Sequence, residues 1–107
     1  MGDTGPSSAV RQFVIEREGH CCRRCGQWVA DGAGSIHHRR PRQMGGTDWP
    51  GINLPSNLAL ICGSGTTGCH GYIESHRPEA YAMGWLVHSW EDPAEVPWQH
   101  PVLGVTY

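Results

Sequence analysis

Two pairs of cysteines separated by 36 residues constrain this chain more than any other feature. Cys22-Arg-Arg-Cys25 leaves two residues between its sulfurs and is closed by Gly26. A turn of that length brings two thiolates from adjacent backbone onto one tetrahedral zinc. Cys62 and Cys69 form the second pair across a gap of six, Gly63 to Gly68, built almost wholly of small residues that let both sulfurs reach the same ion. The opening residues Met1 to Ser8 lack the basic stretch and apolar run of a secretory signal, so metal is expected before disulfide. We therefore read Cys22, Cys25, Cys62 and Cys69 as a structural four-cysteine zinc site, with Cys21 spare. A Cys21/Cys25 register fits the knuckle less well. Four sulfurs close the coordination shell, so this ion holds the fold and has no position left for substrate. The composition explains why such a staple is needed. Of 107 residues, 15 are Gly, 8 are Pro and one is Phe. A chain of this length buries only about two-thirds of its unfolded surface, so its core is thin.

Several classes are excluded. No apolar run approaches the roughly 20 residues of a membrane span, so no membrane partner is expected, and the chain reads as cytoplasmic and not secreted. No internal repeat of solenoid length is present. The net charge of −2 hides a division. Between positions 11 and 42, seven arginines face Glu16, Glu18 and Asp31, a local +4. From position 43 onward Arg77 stands alone against six carboxylates, a local −5. A mildly acidic protein can thus present one basic face to a polyanion, although a scattered solvated surface accounts for the same charges.

Along the chain, residues 1–7 read as a disordered N-terminus and 8–107 as one domain. Val10, Phe13 and Val14 give a short amphipathic helix from about Ser8 to Glu18, with a Ser cap before it. The knuckle follows. Ser35 to Arg39 reads as a short strand ended by Arg40-Pro41, and 44–55 is turn chemistry throughout. Asn57 to Cys62 is a buried strand or turn that feeds the second cysteine pair. Cys69 to His76 starts a helix that Pro78 interrupts or restarts. Trp85–Trp90 and Val102–Tyr107 are expected to form a C-terminal hairpin, with Trp85, Trp90 and Trp98 in its core and Trp28 against the zinc module.

Tandem His37-His38 with Pro41 three residues on, Gly45-Gly46, Asn57-Leu58 before Leu60-Ile61-Cys62, and Cys69-His70 opening a helix together resemble the HNH endonucleases. The resemblance covers roughly residues 10–76, and Gly68 to Tyr72 with Gly84 to Val87 are most similar to small HNH proteins of actinobacterial phages. It implies an α+β fold: a small ββα-metal (His-Me finger) domain stabilised by a structural four-cysteine zinc, here with a C-terminal β-hairpin at 85–107. It also implies a metal-dependent endonuclease that nicks or cuts DNA. By match to the family motif, His38 is the general base, His37 the first ligand of a catalytic divalent ion and His70 the second. Asn57 takes the middle position, where relatives use it to fix the loop or the base and in some cases bring it near the metal. The two histidine roles exchange if the register shifts. Many relatives carry another His four residues after the helical one. Here that position is Glu74, which the i, i+4 spacing puts on the same helix face as a third, oxygen ligand or a solvated carboxylate. The implied catalytic cation is Mg2+, Mn2+ or Ni2+, and His ligation favours the transition metals.

The chemistry is consistent with this assignment. Phosphodiester hydrolysis needs a base to activate water and a cation to offset charge on the phosphate and leaving oxygen, and an imidazole titrates near neutrality. Arg39, Arg40 and Arg42 follow the base directly, where guanidinium forks would meet DNA phosphates, and Arg23 and Arg24 would extend that face. The implied partners are DNA and a phage terminase, since such proteins tend to be encoded beside the packaging genes. The runner-up is a zinc-stapled nucleic-acid-binding module without catalysis, which would not need the His/His/Asn/His set. A disulfide scaffold ranks third, because the cysteine count is odd. No feature of the sequence sets an oligomeric state.

Overall fold

In a computed structural model, the described residues are 6–30, 33–40, 52–64, 66–100 and 104–106. They form a small α+β fold with three helices and two separate two-stranded sheets. Helix α1 spans Ser8–Arg17, and the Ser7 hydroxyl accepts the Val10 N–H at 3.2 Å, capping one of the otherwise unpaired first-turn donors. Pro6 and Ser7, expected to be disordered, are therefore part of the fold, while 1–5 lie outside the described residues. The stripe of α1 that packs inward is Val10, Val14 and Ile15. Phe13 falls on its flank and is 55% exposed, contrary to its expected place in the core.

Strand β1, Gly34–His38, pairs antiparallel with β2, Leu58–Cys62, in a register that sets His37 opposite Ala59 and His38 opposite Leu58. Leu58 to Ile61 are buried without alternation, so β2 is the central element of the core. A 3₁₀ turn, Pro55–Asn57, leads into it. Arg17 reaches across from α1 to donate to the Pro55 and Leu58 carbonyls at 2.8 and 2.6 Å. After β2 come α2, Gly68–Ser75, and α3, Arg77–Ala82. The break between them falls where Pro78, which lacks an N–H, would have had to extend the ladder of α2.

The C-terminal region differs from expectation. The hairpin is made of β3, Trp98–His100, and β4, Gly104–Thr106, not of Trp85–Trp90. Trp85, Leu86 and Val87 are all buried, which is not the alternation of a half-exposed strand. Their N–H groups are used elsewhere: Trp85 and Leu86 donate to the Ala80 carbonyl and close the end of α3, and Val87 donates to the Arg39 carbonyl. Gly84 makes this turn possible with φ 78°, and a Cβ there would stand 2.0 Å from the Pro97 carbonyl oxygen. Trp85 and Trp98 do form the core, with ring centroids 6.3 Å apart. Trp90, at 78% exposed, and Trp28, at 69%, do not. Trp28 contributes its backbone, in a bridge to Cys21 that closes the knuckle.

Arg39 is the largest correction. It is 1% exposed, so it meets no DNA phosphate. Strand alternation sends positions 37 and 39 to the same inward side, and the guanidinium becomes the knot of the C-terminal region. It donates to the carbonyls of Gly84 (3.1 and 2.8 Å), Pro93 (2.9 Å), Val96 (2.6 Å) and Ser56 (3.4 Å). Burial pulls its pKa down to about 10, which still leaves it charged at neutral pH. Arg39→Met keeps much of the stem but orphans these acceptors. At about 1–3 kcal/mol for each buried group left unpaired, the variant is expected to lose roughly 3 kcal/mol or more. Arg39→Lys should recover only a fraction, because an ammonium cannot reproduce the planar fork. Urea denaturation of the three proteins measures this directly.

Candidate metal centres and the histidine pair

The sulfurs of Cys22, Cys25, Cys62 and Cys69 lie within 4.8 Å of one another, brought together from the knuckle, the end of β2 and the first turn of α2. The Cys25 and Cys62 sulfurs are 3.8 Å apart. A tetrahedron with Zn–S bonds of about 2.3 Å has edges of about 3.8 Å, so the spacing fits. Backbone N–H groups support the sulfurs: Cys25 donates to Cys22 Sγ at 3.5 Å and Cys69 to Cys62 Sγ at 3.4 Å. Gly26, at φ 81°, completes the turn and donates to the Cys22 carbonyl. Burial pushes the Cys25 and Cys69 thiols up. Burial acts the same way on Cys22, but N–H groups of Cys25, Cys62 and Arg24 outweigh it and hold that thiol below its ordinary value. The four-cysteine site could hold a structural metal such as zinc. Cys21 is not among the four.

A second cluster lies one residue further along the chain. Cys69 faces the sulfur set, and His70, next on α2, joins His37 of β1 and Glu74 of α2 in a group whose donor atoms also lie within 4.8 Å of one another. His37 is 2% exposed, and its Nε2–H donates to the Trp85 carbonyl at 2.7 Å, which puts the ring's lone pair on Nδ1. Burial draws its pKa down to about 4 against the pull of that carbonyl, and the neighbouring His70, His38 and Arg39 add to the depression. The ring is therefore neutral at neutral pH, the state in which imidazole serves as a ligand. The His37 and His70 rings meet edge to face with centroids 5.7 Å apart. The buried Nδ1 of His70 has no hydrogen-bond partner among the described residues, an orphan atom that a cation would satisfy. Glu74 follows one helical turn later, its carboxylate held by Arg77 at 2.8 Å. Two imidazole nitrogens and one carboxylate oxygen form a donor set suited to a divalent transition ion.

His38 is not in this cluster. Its Nε2 bonds to the Asn53 side-chain oxygen at 2.8 Å. An amide oxygen only accepts, so the proton is on Nε2 and the basic lone pair on Nδ1. Strand alternation separates neighbours 37 and 38, and β1 ends at His38. Asn57, expected to fix the loop or the base as a catalytic residue, is fully buried, and among the described residues its side chain bonds to backbone. Its Oδ1 accepts the Arg40 N–H at 2.7 Å, and its Nδ2 donates to the Ile52 and Arg40 carbonyls at 2.8 and 3.4 Å. It ties the Arg40 backbone to that of Ile52, the residue before Asn53. Sequence reasoning missed Asn53, which sits among turn residues with no spacing signal of its own.

The expected basic face is largely consumed by the fold. Arg17 serves the carbonyls before β2, and Arg23 lies 4.9 Å from the Trp98 ring centre and 3.9 Å from Glu18. Arg24 is packed in the knuckle, and Arg39 is the buried knot. Arg40 is half-buried, and Arg42 and the Gly45-Gly46 segment lie outside the described residues. No helix among the described residues is long and apolar enough to cross a membrane. No family model matches the chain, and neither a curated protein nor a solved structure matches it.

Proposed function

We propose that this protein is a metal-dependent endonuclease of the HNH kind, acting on the phosphodiester bonds of DNA. One observation carries the reading. A neutral, buried His37, a His70 whose Nδ1 has no hydrogen-bond partner among the described residues and the Glu74 carboxylate converge within 4.8 Å, while the adjacent His38 meets Asn53 through Nε2. The order of strand, strand and helix that delivers them, with both histidines of the tandem on β1 and His70 on α2, is consistent with a ββα-metal site. A nucleic-acid binder without catalysis would use its arginines outward and have no need of that convergence. Here Arg17, Arg23, Arg24 and Arg39 are turned to internal tasks.

In this reading His38 accepts a proton at Nδ1 from the attacking water, and Asn53 keeps the opposite N–H oriented as charge develops on the ring. The water oxygen forms a bond to phosphorus as the bond to the leaving sugar oxygen breaks. His37, His70 and Glu74 would hold one divalent ion, which supplies Lewis-acid polarisation of the phosphate and offsets charge on the departing oxygen. The Trp85 carbonyl fixes the tautomer of His37.

Relaxation of supercoiled plasmid by the zinc-loaded protein, with Mg2+, Mn2+ or Ni2+ added, tests the proposal. Divalent-dependent nicking supports it, and intact plasmid under every ion refutes it for the isolated chain. Glu74→Gln removes a charged ligand oxygen. Loss of outer partners of a metal ligand alone costs 10- to 100-fold in affinity, so the half-saturating Mn2+ concentration should rise by about tenfold or more. Arg77→Ala removes the outer partner of that carboxylate from a half-exposed ion pair and should raise it less than Glu74→Gln does.

A further inference from the structure

Arg24, in the middle of the first cysteine pair, is read from sequence as part of a surface for polyanions. Its surroundings say otherwise. Its Nη1 donates to Cys69 Sγ at 3.3 Å, and its Cζ lies 3.9 Å from the Tyr72 ring centre and 4.7 Å from that of Trp85. Its Nε is buried and has no partner among the described residues. A solvated arginine carries no such unpaired donor, so something at this place offsets its desolvation. Among the described residues no carboxylate pairs with it, whereas the neighbouring Arg23 has Glu18. The anion facing Arg24 is the sulfur cluster. Four thiolates around one dication leave a net charge of −2 at a half-buried site, and a guanidinium at hydrogen-bond distance halves it.

We infer that Arg24 is a positioning residue for the four-sulfur cation site, donating to the Cys69 thiolate from a cleft between Tyr72 and Trp85 and setting how tightly the metal is kept. The inference rests on the four-cysteine reading and not on the nuclease reading. Local chain geometry favours it. The two-residue gap of the knuckle fixes the Arg24 backbone, and Tyr72 follows Cys69 by three residues on α2, so thiolate and ring lie on one helix face. Trp85 is shared. Its ring flanks Arg24 and its carbonyl accepts from His37, so Arg24 braces the element that orients the imidazole of the second cluster.

The test is zinc affinity by chelator competition, together with the absorption spectrum of the cobalt-substituted protein, on wild type, Arg24→Met and Arg24→Lys. Arg24→Met keeps the apolar stem and removes charge and donor. Its zinc affinity should fall 10- to 100-fold, with faster loss of zinc to the chelator and a shift of the thiolate-to-cobalt charge-transfer bands. Arg24→Lys should fall between the two, since it restores the charge but not the fork. A packing role alone would not move the cobalt bands. Should Arg24→Met fail to fold in excess zinc, Arg24→Gln decides by the same readings. Zinc affinity within twofold of wild type and unchanged cobalt bands overturn the inference. A wild-type protein that takes up neither zinc nor cobalt overturns the four-cysteine reading beneath it.

Discussion

Cys22→Ser should unfold this domain at room temperature, whereas Cys21→Ser, one residue away, should leave it folded and metal-loaded. Cys22 is buried in the four-sulfur cluster and Cys21 is outside it. Binding of a structural zinc by four protein ligands contributes on the order of 10–16 kcal/mol at neutral pH, and that binding energy is folding energy. Whole-domain stability is about 5–15 kcal/mol, so a site weakened by a missing thiolate removes most or all of the margin of a thin-cored chain. Serine at position 22 would also be a buried hydroxyl facing three thiolates without their counter-charge. Circular dichroism and elemental zinc content on the two variants separate the cases. If Cys22→Ser folds with wild-type stability and no metal, the four sulfurs are ordinary core atoms.

His38→Ala should lower the nicking rate by about 10²–10⁴-fold, the usual contribution of a general base, while zinc content and thermal midpoint stay near wild type. The side chain is half-buried at the end of β1, so its removal does little to the core. Asn53→Ala removes the side-chain oxygen that meets His38 Nε2 and should cost less, about tenfold, with the pH dependence of the rate displaced. His37→Ala also abolishes activity in this account, but by loss of the divalent ion, which a higher Mn2+ concentration partly restores. It cannot restore His38→Ala. Equal rescue of both variants by metal would mean that the base is not His38.

What was legible in the sequence was what local spacing encodes. Two cysteine pairs with short gaps, and Glu74 one helical turn after His70, follow from turn and helix periodicity, whereas the pairing of His37 with His70 is what the family resemblance implies. The Ser cap of α1 and the restart at Pro78 are equally local. What escaped depends on distant chain. Arg39 is a charged residue whose acceptors come from Ser56, Gly84, Pro93 and Val96, and nothing near position 39 signals that four carbonyls will converge there. Strand alternation does put it on the buried side of His37, but an arginine at a strand end is expected outside. The run Trp85–Val87 has strand composition, yet the unpaired carbonyls at the end of α3 and the acceptor need of Arg39's own backbone capture its donors first. Asn57, singled out as fixing the loop or the base, binds the backbone of Arg40 and Ile52. Asn53, whose side-chain oxygen meets His38 Nε2, carries no periodic mark.

The most direct test of the account is to count cations and nicks on the same samples of wild type and His70→Ala. Each protein is loaded with zinc, dialysed against Mn2+, analysed for both metals and then assayed on supercoiled plasmid. Two independent sites predict one zinc in both proteins, with one manganese and nicking in wild type and neither in His70→Ala. Nicking that survives in His70→Ala, or zinc lost together with manganese in that variant, would contradict it.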